Sequence, residues 1–155
     1  MERQRGFTII ELMVTLAIVG ILFATAAPIY HTWQQRAYGS EAAVMLKQLI
    51  SAEIAYFLDN NKFFPDNDVY TIPHEGDTSP SGVNVIKEIQ DNLNITINQG
   101  HFLTYSLAGV NEPGNESFVV TIQSKDRQFD LFKGTDTVIA SLDKNGNAEY
   151  SYPSY

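Results

Sequence analysis

The chain has 155 residues, of which 44% are hydrophobic and 18% charged, a net charge of −8 and no cysteine. No disulfide framework and no thiol nucleophile can exist in it, and its acidic balance argues against a grip on nucleic acid, which needs a cationic surface. With one long apolar helix set aside, about 125 residues remain, enough for a single domain with a modest core.

The chain opens on "MERQRG", where Arg3 and Arg5 outweigh Glu2 and hold a short N-terminus on the cytoplasmic side of a membrane. Residues 7–30 follow with one charged side chain, Glu11. As a helix rising 1.5 Å per residue this run is about 36 Å long, enough to cross a hydrocarbon core of about 30 Å. A cleaved secretory signal peptide is the competing reading, and Ala24-Thr25-Ala26 supplies a small-residue cleavage pattern. Against it, an acidic group at the start of an apolar run weakens insertion, by up to about 2.5 to 3.5 kcal/mol at a helix centre and less near the end. The run also continues through Tyr30 and Trp33, residues suited to a membrane interface or to packing between neighbouring helices, into a segment that still reads as helix. Pro28 lies inside, where it removes one backbone bond and predicts a kink, with Gly20 and Thr25 as weaker points. From His31 to Asn60 a stripe of Ala42, Leu46, Leu49, Ile50, Glu53 and Phe57 repeats at three-and-four spacing. The joined helix is roughly 80 Å long; its apolar first half is expected to project from the globular body and to need lipid or other copies of itself.

After "NNKFFPDNDVY", which ends at Tyr70, the composition turns to Asp, Asn, Gly, Pro and Ser as far as Asn84 and reads as a connecting loop. A short helix over residues 83–92, capped by Ser81, comes next. Period-two patterns then predict strands through Leu103, Tyr105 and Leu107, through Phe118, Val120 and Ile122, through "TVIASL" and through "NAEYSY". The last two are joined by "DKNGN", whose Asn-Gly is a hairpin signal. The fold class is α+β, with an antiparallel sheet packed on the second half of the long helix. No HExxH, GxSxG or phosphate-cradling loop is present, and His31, His74 and His101 are scattered. "HEGD" at His74 to Asp77 reads as a solvated loop. Asp143, Asn145, Asn147 and Glu149 invite a calcium reading but lack the loop length and glycine position of an EF-hand, so the hairpin turn is preferred. Asn94-Ile95-Thr96 and Asn115-Glu116-Ser117 match glycan acceptor patterns that also arise by chance. Nothing points to an enzyme or to a cofactor.

The stretch "RGFTIIELMVTLAIVGILFATAAPIY" resembles the N-terminus of type IV pilins and the related type II secretion pseudopilins, in Gly6, Phe7, Thr8, Glu11, the apolar helix and Pro28. The likeness is strong over about the first thirty residues and looser over the next thirty, through "LKQLISAEIAYFLDNNKFFP". It implies a prepilin peptidase that cuts between Gly6 and Phe7 and methylates the new amine. It also implies a helix that is retained and able to unwind between Gly20 and Pro28 on assembly, an inner-membrane assembly machinery, and a helical homo-oligomer that leaves the inner membrane for the periplasm or cell surface. The implied division is a leader at residues 1–6, a membrane and assembly half at 7–30 and a pilin-like globular domain at 31–155. The absence of cysteine departs from the C-terminal disulfide loop that many pilins of pathogens carry. A pilus subunit, a secretion pseudopilin, or a periplasmic enzyme or binding domain behind a cleaved signal peptide are the readings that remain open.

The junction at Gly6 separates the last of these from the first two. Terminal sequencing of the mature protein should find Phe7 first, N-methylated, with Gly6→Val accumulating as uncleaved precursor in the membrane. A mature chain starting at Ala27 would establish the signal-peptide reading instead.

Overall fold

The computed structural model describes residues 6–74, 82–97, 102–124, 130–132 and 134–151. The chain divides into two compact units, Met1–Gln34 and Gln35–Tyr155, and helix α1 (Ile9–Asn60, 52 residues) contributes to both.

In the first unit α1 is almost entirely apolar, and its large side chains from Phe7 to Trp33 are exposed. The polar exceptions are satisfied locally. Thr15 donates its hydroxyl to the Leu12 carbonyl at 2.8 Å and Thr25 to Leu22 at 2.9 Å. Hydroxyls that bond their own helix need no water, which is how Thr is tolerated in a segment surrounded by hydrocarbon. The helical assignment is unbroken across Pro28, whose missing N–H leaves the Ala24 carbonyl without its usual donor. Thr32 turns its hydroxyl to the Pro28 carbonyl at 3.2 Å.

In the second unit α1 becomes amphipathic: Gly39, Ala42, Leu46, Leu49, Ile50 and Glu53 are buried, one face at three-and-four spacing. Facing it is an antiparallel five-stranded sheet in the simple order β1 (Val69–Ile72), β2 (Leu103–Glu112), β3 (Asn115–Ser124), β4 (Thr137–Asp143), β5 (Ala148–Ser151). The register lines up core-facing residues across the sheet. Ile72, Tyr105, Ile122 and Val138 form one row, Leu107, Val120 and Ala140 the next, and Gly109, Phe118 and Leu142 a third. All of them but the glycine belong to the apolar core, together with Ala42, Leu46, Leu49 and Ile50 of α1. The second helix, α2 (Gly82–Leu93), buries Ile89 and Leu93, and its Glu88 is bonded to the Tyr70 hydroxyl of β1.

Most predicted elements are present. The long helix starts at Ile9 rather than Phe7, and the short helix runs one residue further at each end than residues 83–92. Ser81, the expected cap of α2, lies outside the described residues, as do His101 and Glu75 to Asp77 of "HEGD". The loop expected after Tyr70 and as far as Asn84 needs correction at its start, because Thr71 and Ile72 complete strand β1. Val69-Tyr70-Thr71-Ile72 has strand composition, but it is four residues long and sits behind an Asp/Asn-rich turn whose composition hid it. Only Ile72 of the four is buried, as befits a short edge strand.

Two glycines are fixed by close approach of another backbone. A β-carbon at Gly39 would lie 2.2 Å from the Leu131 carbonyl oxygen, and one at Gly109 would lie 2.0 Å from that of Pro65. Both oxygens belong to main chain that cannot swing aside as a side chain would. Gly109→Ala should therefore lower the unfolding free energy by about 1 to 3 kcal/mol, the usual range for overpacking, read as a drop in denaturant midpoint. An unchanged midpoint would mean that residues 63–65 shift freely on β2.

Candidate processing and assembly site

Helix α1 begins with a reciprocal cap built from Thr-Ile-Ile-Glu. The Thr8 hydroxyl accepts from the Glu11 N–H at 3.2 Å, while Glu11 Oε2 accepts from both the Thr8 N–H and the Thr8 hydroxyl at 2.9 Å. Thr8 precedes the first helical residue and Glu11 is the third, the geometry of a capping box, in which two otherwise unpaired backbone donors are satisfied at once. An acidic side chain there also lies at the positive end of the helix dipole. The signal for this was in the sequence, as Thr followed three residues later by Glu before an apolar run, yet the carboxylate drew attention only as a lone charge.

Immediately before the cap, Gly6 and Phe7 are exposed, Phe7 by 84%. A β-carbon at Gly6 would meet nothing within 4 Å, so no packing among the described residues requires glycine there. Gly6, Phe7, Thr8 and Glu11 are thus brought together at one helix end. Gly20 and Pro28 lie further along α1, within the same apolar stretch, and Gly20 likewise has open space around it.

The other candidates lie in the second unit. Asp143 ends β4 and organises the turn into β5: its Oδ1 accepts from the backbone N–H of Asn145 at 2.9 Å and of Asn147 at 2.8 Å. Its Oδ2 accepts from the side-chain amides of Asn147 at 2.9 Å and Asn145 at 3.3 Å. These donors, those of Asn147 foremost, hold the Asp143 carboxyl below the usual carboxylate range. Gly146, at φ 81°, returns its N–H to the Asp143 carbonyl at 3.0 Å, the pattern of a three-residue hairpin loop with a glycine bulge. A cation bound through Asp143 would have to displace these four donors, and Glu149 stands exposed on β5. Among the described residues no three His, Cys, Asp or Glu side chains group as a metal site requires. His74 places Nδ1 3.3 Å from the Thr104 hydroxyl. Asn94 and Asn115, which begin the two glycan patterns, are both exposed.

Comparison with known proteins bears on the capped helix. Residues 1–27 match the family model described as the prokaryotic N-terminal methylation motif. The chain is 47% identical over 64 residues to the type IV major pilin protein PilE1 of Neisseria gonorrhoeae, covering 41% of this chain and 38% of that one. It is 44% identical over 61 residues to the type IV major pilin protein PilA of Myxococcus xanthus, covering 39% and 28%. To a fimbrial protein of Moraxella nonliquefaciens it is 38% identical over 86 residues, 56% of this chain and 50% of the relative. The matches therefore span between about a quarter and a half of these relatives' lengths. No solved structure matches the chain. The chain thus carries a prokaryotic N-terminal methylation motif at its start, and its N-terminal part, the long apolar helix included, is similar to that of type IV major pilins and fimbrial proteins.

Proposed function

We propose that this protein is a structural subunit of a type IV pilus-like filament. In this reading it is made as a single-pass inner-membrane precursor, residues 1–6 are removed by a prepilin peptidase that methylates the Phe7 amine, and residues 7–30 then pass from lipid into a bundle of identical helices. An inner-membrane machinery carries out that transfer, and the filament stands in the periplasm or at the cell surface. The observation that carries the reading is the apolar half of α1, which the described residues leave uncovered and which ends in one capped carboxylate. A surface of that size needs hydrocarbon or its own kind around it. The relatives named above are pilin and fimbrial proteins, which favours a pilus over a secretion pseudopilus that would use the same mechanics.

Glu11 has a definite part in this scheme. In the isolated chain its charge is met by Thr8 donors and by solvent. Inside a bundle solvent is gone, and a buried carboxylate without a counter-ion costs several kcal/mol. Before cleavage the Phe7 nitrogen is a neutral amide; after cleavage it is an amine that remains cationic when methylated. Glu11 thereby favours the arrangement that brings a neighbour's Phe7 amine within a few Å, which selects processed subunits and fixes their axial register.

Two variants separate the parts of this scheme. As the sole copy, Glu11→Val should insert and be cleaved normally yet yield few filaments; normal abundance and helical symmetry would remove Glu11 from assembly. Deleting residues 1–30 should leave a soluble, folded monomer in sedimentation, because the core of the second unit draws on α1 only from Tyr38 onward. Filaments formed by that fragment at neutral pH would show that the apolar half is not the polymerisation element.

A further inference from the structure

Glu53 lies on the core face of α1, is 0% exposed, and is the only carboxyl among the buried described residues. Its Oε1 accepts the Phe64 N–H at 2.6 Å. Its Oε2 is buried with no hydrogen-bond partner. A carboxyl in that position is stable when neutral and poorly tolerated as an anion, because half of its charge would face apolar surroundings.

The segment it holds, residues 61–68, connects α1 to β1 and is fastened at a second point by Asn111 of β2. The Asn111 side chain accepts from the Phe63 N–H at 2.6 Å and donates to the Phe63 carbonyl and to Asp66, both at 2.9 Å. Its backbone N–H is bonded to the Asn67 side chain at 2.7 Å. Phe63 and Phe64 are buried, and their rings pack on Phe57, Phe118, Tyr56 and Tyr70. Asn111 does not titrate; Glu53 does. The two fasteners of one segment therefore differ in their response to pH.

We propose that Glu53 is a proton-dependent clasp: with its carboxyl protonated, residues 61–68 are sealed against α1, and loss of that proton to solvent opens the segment so that water reaches Oε2. Among the described residues no counter-ion is paired with Glu53 to replace the proton. Of the charged and titratable groups on the surrounding elements, Lys62 and Asp66 of the segment pair with each other at 2.9 Å on the surface. Tyr70 of β1 is bonded to Glu88 of α2. Glu116 of β3 pairs with Lys144 at 3.2 Å, while Glu112 of β2 and Asp59 of α1 are exposed. Tyr56 of α1 meets the Phe64 ring edge-on and is no cation to offer a carboxylate. Burial accordingly pushes the Glu53 carboxyl up to about 8, with the Phe64 N–H pulling only partly the other way.

The direction follows from proton linkage. In the sealed form Glu53 keeps its proton up to about pH 8; in the opened form, solvated, it loses it in the ordinary carboxylate range. Across the interval between, opening releases a proton, so the seal is tightest at acid pH and weakens as pH rises, about tenfold per pH unit, levelling off above the sealed-state value.

Hydrogen exchange on the full chain in detergent micelles tests this, with each amide's rate compared to its intrinsic rate at the same pH. The Phe64 amide should lose protection by about tenfold per pH unit from about pH 5.5 to about pH 8. The Phe63 amide should follow the same slope, because the segment opens as one although its own acceptor does not ionise. Glu53→Gln, neutral at every pH and still an acceptor for Phe64, should flatten both slopes. A flat profile in the wild type, a flat Phe63, or an unchanged slope in Glu53→Gln overturns the clasp. A reading that needs no variant is the carboxyl carbon resonance of Glu53 in the wild type: titration near pH 8 supports the proposal, and titration in the ordinary carboxylate range overturns it.

Discussion

Along α1 from Phe7 to Trp33, side chains such as Ile9, Ile10, Leu16, Ile21, Phe23 and Ile29 stand more than half exposed. Nothing else in the described chain covers them, and water cannot do so stably over that area. Much of what surrounds this stretch is a response to that one constraint. Thr15, Thr25 and Thr32 return their hydroxyls to their own backbone, so these donors do not depend on water for a partner. The N-terminal N–H groups, which lipid also would not satisfy, are met at Thr8 and Glu11 by the capping box. Glu11 thus closes a helix end in the single chain, which does not conflict with the role proposed for its charge in a water-free bundle.

One helix joins two regimes. Up to about residue 34 its composition is apolar on all sides, and the surroundings that suit it are lipid or other helices. From Gly39 the same helix carries a single buried stripe and works as the floor of an antiparallel sheet. The change in hydrophobic pattern, from all-round to one-sided, is what lets one continuous element serve both a membrane and a globular core. The acidic residues fall mainly in the second regime, where most of them are solvated, while Glu53 is kept inside and held to the main chain of residue 64.

Much of this could be read from the residues alone, because the strongest signals are periodic. The stripe from Ala42 to Phe57, Glu53 included, and the alternation in β2, β3 and β4 are long enough to fix both the type of element and the face that is buried. What escaped notice is short or depends on partners distant in sequence. Strand β1 is four residues inside a polar run, and it is held by pairing with residues 105–108 of β2. That Glu53 would meet the Phe64 N–H depends on how residues 61–65 fold back, which no local pattern encodes. The Asn145-Gly146 signal did mark a hairpin, but the turn is set by Asp143 accepting from both asparagines, with Gly146 alone at positive φ. The capping box, by contrast, was legible and local; the unusual carboxylate simply has a structural use beside the assembly role proposed for it.

The central claim is that the apolar half of α1 is the polymerisation element and that Glu11 sets its register. A high-resolution reconstruction of filaments sheared from cells that make this protein tests it most directly. The account predicts residues 7–30 of neighbouring copies packed together along the filament axis, with each Glu11 carboxylate within a few Å of a Phe7 amine. A filament whose copies meet through their sheets, with Glu11 far from any amine, would contradict it.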